Sequence, residues 1–281
     1  MKNEEKSKPF AKKSFGQNFL VDQNYISKII SVLDPKPNET IIEIGAGRGA
    51  LTGRLVESGA DIFAIELDKD LIPLLRNEFG ENENFNLVEE DALKINFAEI
   101  TKTKDQRPKT KLVANLPYYI STAILQKLAR QREAFSELIL MFQREVVGRI
   151  TAEPGNKERG FLTVLVEAFF QAEKLFDVPP TAFRPIPKVW SSVVRLTTKN
   201  ENVLRNEKLF LKIISAGFQQ KRKTILNNLK NAPESLYKEK EIRANLQPIL
   251  ENLEINPQRR AETLTLKEWI KLTNFFGQKN V

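Results

Sequence analysis

Short apolar runs recur along the first two thirds of the chain, each ending on a glycine or a polar side chain. Ile41-Ile42-Glu43-Ile44 runs into a glycine cluster, the pattern of a strand entering a tight turn, and residues 50–56 read as the helix leaving it. Four further strands are predicted over 61–65, 85–89, 111–114 and 138–142, the first three ending at Glu66, Asp91 and Asn115. Helical spacing over 67–79 and 122–130 falls between them. Strands alternating with helices imply a parallel sheet covered by helices on both faces. Residues 171–178 and 191–198 predict a late hairpin at the sheet edge, where the prolines of the 179–187 turn are tolerated. Strand signals then stop, and 207–232, 238–253 and 265–276 carry helical spacing. The expected organisation is an α/β domain over 1–200 and a small all-helical domain over 201–281, with the boundary near 199–205 and no internal repeat.

The length of 281 residues suits two domains, and 41% hydrophobic residues with 9% aromatics suits packed cores. Cysteine and histidine are both absent, which excludes disulfides, thiolate metal sites and imidazole acid–base catalysis. Whatever chemistry the chain performs must run without thiol or imidazole, and no metal is expected. The net charge is +8, and it is uneven: residues 201–281 hold 15 Lys+Arg against 9 Asp+Glu. A basic C-terminal segment beside a nearly neutral body suggests a polyanion partner, or else a solvated helical surface. Residues 1–13 carry five lysines without a following apolar core, so they read as a mobile basic tail rather than a secretory signal. No run approaches the roughly 18 apolar residues of a membrane span. The expected location is cytoplasmic, with no membrane partner and a monomeric state.

Two motifs carry chemistry. In Glu43-Ile44-Gly45-Ala46-Gly47-Arg48-Gly49 the glycines permit a sharp turn and close approach of backbone to a ligand. Glu66 ends the next strand, 21 residues after Gly45, placed to accept hydrogen bonds from ribose hydroxyls. Together they point to a nucleoside-bearing cofactor without choosing which; Gly45, Gly47 and Ala50 also satisfy a loose dinucleotide pattern. The second motif is Asn115-Leu116-Pro117-Tyr118-Tyr119, at the carboxyl end of a strand, where open α/β sheets bind ligands. An exocyclic adenine amine is a poor nucleophile because its lone pair is delocalised into the ring. A carboxamide oxygen and a backbone carbonyl that accept both amine hydrogens would present that lone pair to an electrophile, catalysis by positioning. Pro117 stiffens the loop, and Tyr118 can stack on an extruded base.

Asn-Leu-Pro-Tyr resembles the signature of amino-directed, S-adenosylmethionine-dependent methyltransferases. The fuller set resembles the small-subunit ribosomal RNA adenine dimethyltransferases of the KsgA type. It comprises residues 13–20 and 43–49, Asn115 to Ser121, Val178-Pro179-Pro180, Phe183, residues 185–189 and 192–196, and Phe218-Gln219-Gln220-Lys221-Arg222-Lys223-Thr224. The motifs run in order through Arg260-Ala261-Glu262, so nearly the whole chain is covered.

The resemblance implies a Rossmann-like, seven-stranded methyltransferase domain that uses S-adenosylmethionine. It matches Asn18 and Leu20 to contacts closing over the methionine end of the cofactor, Gly45 to the turn beside it and Glu66 to the ribose. Asp91 matches the group that reads the cofactor's adenine amine. Asn115 matches both a cofactor contact and the target-amine acceptor, with Leu116, Pro117 and Tyr118 completing the loop. Phe183 corresponds to a second stacking aromatic, or else to packing under the Pro-rich loop. The implied reaction is dimethylation of N6 on two adjacent adenines near the 3′ end of small-subunit ribosomal RNA, free or in an assembling subunit. Lys221, Arg222 and Lys223, opening a helix, and the Arg259-Arg260 pair would contact RNA phosphates. Three rival readings remain: a large-subunit RNA adenine methyltransferase of the macrolide-resistance type, an assembly factor with dispensable catalysis, and a nicotinamide-dependent dehydrogenase. The last leaves the Asn115 loop unexplained and lacks a histidine.

Overall fold

The computed structural model describes residues 11–12, 16–100, 110–116, 120–199, 204–237 and 240–278. They form two compact units, one of residues 1–147 with 172–198 and the other of residues 148–171 with 199–281. No helix among the described residues is long and apolar enough to cross a membrane.

The first unit runs β1 (Phe19–Leu20), α1 (Gln23–Leu33), β2 (Thr40–Ile44), α2 (Thr52–Val56), β3 (Asp61–Ile65), α3 (Ile72–Phe79), β4 (Phe85–Val88), α4 (Phe97–Ile100), β5 (Thr110–Asn115), α5 (Ser121–Arg130) and β6 (Glu137–Gln143). After α6 (Arg144–Ile150) and α7 (Phe161–Phe169) come β7 (Phe170–Val178), β8 (Phe183–Arg184) and β9 (Ser191–Thr198). Seven strands make one sheet in the order β4-β3-β2-β5-β6-β9-β7, and β1 pairs separately with β8. β2 to β6 are mutually parallel, and β9 runs antiparallel to β6. β7 and β9 lie side by side with β7 at the edge, the position expected for the late hairpin. The chain steps outward from β2 to β3 and β4, then returns to place β5 on the other side of β2. This reversal opens a crevice between β2 and β5 at their carboxyl ends.

The core follows from the strand sequences. Ile26, Ile29 and Leu33 of α1 repeat at helical spacing and bury against Ile41, Ile62, Val113 and Ile139, one from each of four neighbouring strands. Asp22 starts α1 by accepting a 2.9 Å bond from the Asn24 N–H. On the other side of the glycine loop, Gly49 adopts φ +79°, and a methyl group there would sit 2.5 Å from the Phe79 ring. Glycine is therefore required twice over at this position, by backbone and by packing.

α3 starts five residues later than the spacing over 67–79 suggests. Glu66 Oε1 accepts the N–H groups of Leu67 and Asp68, both at 2.9 Å, which holds those residues in a turn. Pro73 lacks an N–H and sits in the first turn of α3, so the helix begins just ahead of it.

Beneath the loop, Glu43 of β2 is buried with the Thr52 hydroxyl donating to its Oε2 at 2.6 Å. Burial pushes its carboxyl up to about 7, the Thr52 bond pulls the other way, and the charge of Glu66 adds to the rise.

The second unit, which includes α7, adds α8 (Glu207–Gly217), α9 (Ile225–Lys230), α10 (Lys240–Ala244), α11 (Leu246–Asn252) and α12 (Leu266–Gln278). The helix expected over 207–232 is two helices. The side chain of Asn228, itself buried, donates to Gly217 O at 2.7 Å and Gln220 O at 3.1 Å and accepts from Gln220 N at 3.1 Å, locking a turn between them. Thr224 then caps α9 by accepting from Asn227 N at 3.3 Å. Lys221, Arg222 and Lys223 therefore sit exposed on the turn and do not open a helix. The helix expected over 238–253 also divides, because Pro248 cannot donate to the Ala244 carbonyl. Arg159 is buried within this unit and bridges Ala152 O, Glu167 Oε2 and Leu264 O at 3.1, 2.5 and 3.3 Å.

Two measurements test this packing. Gly217 ends α8 directly against the ring of Trp269. Gly217→Ala, which would favour an exposed helix, is expected to overpack this contact, lowering stability by about 1–3 kcal/mol in thermal unfolding. Glu43 binds its proton more tightly folded than unfolded, so its contribution is largest at low pH and declines as pH rises through about 7. At about 1.4 kcal/mol per unit the full loss is about 3 kcal/mol. Glu43→Gln should flatten the fall in Tm between about pH 5 and pH 8; an identical slope in both proteins excludes this origin.

Candidate active site

At the carboxyl ends of β2 and β5, in the crevice their order creates, lies a cavity of about 230 Å³. Register brings its two sides together. Ile44 pairs with Ala114, so Gly45 follows beside Asn115, and a Cβ on Gly45 would sit 3.8 Å from the Asn115 carbonyl oxygen. Gly45 and Gly47 hold φ of +77° and +61°, conformations that turn the chain away from β2 while presenting bare backbone to the cavity. The loop is pinned from behind by Gly45 N–H donating to Ile65 O at 2.8 Å.

Glu66 organises the opposite wall. Its Oε2 accepts from Gly47 N at 2.8 Å while Oε1 holds the turn N–H groups of Leu67 and Asp68. One carboxylate thus ties the glycine loop to the end of β3. An ionised carboxylate has about four acceptor positions, so Glu66, lining the cavity, keeps capacity for a hydroxyl. Asp91 lines the cavity after β4, with Oδ1 accepting from Leu93 N at 2.9 Å and fixing the turn. Lys127 donates to Leu93 O at 2.9 Å; burial lowers its affinity for the proton, against the charge of Asp91.

The roof comes from the N-terminal segment. Gly16, Gln17, Asn18 and Phe19 line the cavity, and the Asn115 Nδ2 donates to the Asn18 carbonyl at 3.2 Å. That bond uses the donor end of the carboxamide and leaves Asn115 Oδ1 as an acceptor. Phe19 packs over Gly47, with Arg48 4.4 Å from its ring centroid. The segment is also clamped by Asp68, which accepts from Lys12 at 2.5 Å and from Gln17 at 2.8 Å. Burial works against the charge on Asp68, but the bonds from Lys12 and Gln17 outweigh it and hold its carboxyl below the usual range. Nothing in the composition or spacing singled out Asp68; its position two residues after Glu66 was the available signal.

Of the expected residues, Asn18, Gly45, Glu66, Asp91, Asn115 and Leu116 meet at this cavity. Leu20 does not: its side chain is in the core, 4% exposed, and it acts through its backbone by pairing β1 to β8. Phe183 is paired opposite Leu20 and is 1% exposed in the same core, so its ring is packing rather than a stacking wall. It fixes the strand pair that delivers Asn18 and Phe19 to the roof. Pro117 and Tyr118 lie outside the described residues, as does most of the tail expected over 1–13. In the second unit Lys221, Arg222, Lys223 and Arg260 are exposed. Arg259 is not available as a phosphate contact: it pairs with Glu268 at 2.5 Å and also donates to Thr263.

Residues 10–272 match the family model for ribosomal RNA adenine dimethylase. A ribosomal RNA small subunit methyltransferase A of Clostridium botulinum (strain Okra / Type B1) is 42% identical over 264 residues, covering 93% of this chain and 92% of that protein. Among solved structures, a dimethyladenosine transferase of Plasmodium falciparum superposes with a TM-score of 0.78 at 25% identity, over 94% of this chain and 98% of that one. The 23S rRNA methyltransferase ErmE superposes with a TM-score of 0.66 at 22% identity over 93% and 100%, a likeness of fold. With almost the whole length matched, the chain belongs to the ribosomal RNA adenine dimethylase family.

Proposed function

We propose that this chain transfers methyl groups from S-adenosylmethionine to the N6 amines of two adjacent adenines near the 3′ end of small-subunit ribosomal RNA. The observation that carries the reading is the Asn115 carboxamide, bonded through Nδ2 to the Asn18 carbonyl so that Oδ1 is left to accept at the edge of a cavity with acidic walls. The cavity suits the cofactor. Gly45 and Gly47 offer side-chain-free backbone, Glu66 retains acceptor capacity for ribose, and Asp91 can accept from an adenine amine, with Ile44, Ile65 and Leu93 supplying apolar surface for the ring. With Asp68 already paired to Lys12, Glu66, Glu90 and Asp91 give the cavity a negative potential that favours a cationic ligand.

When bound, S-adenosylmethionine supplies an electrophilic methyl group on a sulfonium. The chain's own residues do the positioning. Asn115 Oδ1 accepts one N6 hydrogen of the target adenine and draws its lone pair out of conjugation, and a backbone carbonyl of the loop is assigned the other. Pro117 stiffens that loop and Tyr118 stacks on the base. The amine proton leaves to water, so neither imidazole nor thiol is required, in keeping with a sequence that holds neither. We assign residues 201–281 to ribosomal RNA binding, with the exposed turn at Lys221, Arg222 and Lys223 contacting phosphate.

The primary test is transfer of labelled methyl from S-adenosylmethionine to unmethylated small ribosomal subunits, read by mass analysis of the adenines. Two adjacent dimethyladenines are expected. Transfer to large-subunit RNA alone favours the resistance-type activity, and firm subunit binding without transfer favours an assembly factor. Asn115→Ala should abolish transfer while retaining most cofactor affinity, whereas Glu66→Ala should weaken cofactor binding by tenfold or more, since it removes both the ribose acceptor and the tie to Gly47. Replacing Lys221, Arg222 and Lys223 by Gln should weaken RNA binding and reduce the slope of log affinity against log salt by about 2–3. Cofactor affinity should not change; an unaltered salt slope removes the phosphate assignment.

A further inference from the structure

Beyond the cavity, the same sheet edge carries an exposed aromatic ring that packing does not explain. Trp190 immediately precedes β9 and is 43% exposed, whereas the other tryptophan of the chain, Trp269, is fully buried. A large aromatic left in water is an unfavourable arrangement unless something covers it in use. Its backbone is fixed: the Trp190 carbonyl accepts from Arg144 N–H at 2.9 Å. The Arg144 guanidinium lies 5.6 Å from the ring centroid, so a cation backs the ring. No carboxylate among the described residues lies within ion-pair distance of Arg144; the nearby Asp177 is held by Lys174 at 2.8 Å and by the Ser192 hydroxyl. The segment leading to Trp190 adds two exposed cations, Arg184 and Lys188, and an exposed Ile186, without any acidic residue between Phe183 and Trp190.

Strand register locates this feature. Asn115 pairs with Met141, and Gln143, two residues further along β6, pairs with Ser191. Trp190 therefore sits at the carboxyl edge that also holds Asn115, with β6 between β5 and β9. Two strand spacings sideways and a few residues along place it on the order of 10–15 Å from Asn115. An RNA strand with one base turned into the cavity would reach that point within a few nucleotides.

We infer that Trp190, backed by Arg144, is a stacking platform for an unpaired base flanking the target adenine, with Lys188 and Arg184 contacting the adjoining phosphates. This rests on the proposed RNA substrate and deepens it. Base stacking on an exposed aromatic is tolerant of sequence, so the platform holds the strand in place while Asn115 selects the amine. One cation against the ring and two more on the segment that leads to it complement an RNA strand, whose phosphates and base faces alternate.

The test uses the full-length protein and a synthetic RNA hairpin with two adjacent unmethylated adenines in its loop. Emission from Trp190 should be quenched when the hairpin binds, and Trp190→Phe, which keeps only buried Trp269, should show no quenching. With unmethylated subunits as substrate, Trp190→Ala should raise KM for RNA roughly tenfold, leave S-adenosylmethionine affinity unchanged and alter kcat little, and Trp190→Phe should recover most of the loss. A Trp190→Ala enzyme with unchanged KM, or hairpin binding without quenching, overturns the platform. So does protection of Trp190 by intact subunits but never by the hairpin, which identifies a protein contact instead. Quenching by the hairpin without any methyl transfer to unmethylated subunits upholds the platform and refutes the proposed reaction; transfer with Trp190 still open to solvent quenchers does the reverse.

Discussion

A single carboxylate holds the centre of the site together. Glu66 accepts three backbone N–H groups, from Gly47 on one side and from Leu67 and Asp68 on the other. Those donors belong to two turns that follow neighbouring parallel strands, and Glu66 adds a side-chain tie to the backbone bond from Gly45 N–H to Ile65 O. Charge-assisted bonds to an ionised acceptor are stronger than ordinary amide bonds, and Glu66 makes them at 7% exposure, where water competes poorly. The glycine loop therefore keeps its positive-φ form against a fixed acidic wall. The same geometry delays the start of α3, leaving Asp68 in the turn where it can hold the roof. One side chain thus shapes two walls and indirectly supports the third.

The roof depends on strand pairing across a long sequence separation. β1 is only two residues long, yet it pairs with β8 and buries Leu20 and Phe183 in the main core. That anchorage, with Lys12 and Gln17 bonded to Asp68, positions Asn18 so that its carbonyl receives the Asn115 amide. The orientation of Asn115 follows, with Oδ1 left at the cavity as the acceptor that the proposed reaction would use. Phe183 matters to the site as a foundation that lies outside the cavity. Glu43 is a second foundation, a buried carboxyl under the loop whose proton affinity is raised by the same enclosure that keeps water from the β2 turn.

Cationic side chains divide by what surrounds them. Arg159 and Arg259 are consumed in bonds within the helical unit, where they join loops to helices. Lys221, Arg222 and Lys223 project from a turn that Asn228 locks, so their charge meets solvent on a rigid base. Arg144 falls between these cases, exposed but oriented by an aromatic ring. Net charge alone does not distinguish such roles; the hydrogen-bond partners do.

Much of this molecule could be read from its residues in order. Short apolar runs ending at Gly45, Glu66, Asp91 and Asn115 pointed to the parallel strands and the edge where ligands collect, because strand periodicity and turn chemistry are local properties. The amine-directed chemistry was legible through the resemblance that Asn115-Leu116-Pro117-Tyr118 carries, and the absence of His and Cys is consistent with it. Tertiary structure decided the rest. Whether Phe183 lined the cavity or lay in the core depended on its register opposite Leu20, a pairing of residues more than 160 positions apart. Which basic residues remained exposed depended on Asn228 breaking a helical pattern and on Glu268 meeting Arg259. The role of Asp68 depended on a segment that returns from the N-terminus. Helical spacing and strand alternation report which face of an element is apolar. They carry no information on the distant side chain that will satisfy a given donor or acceptor, and at this site those long-range partners set the geometry.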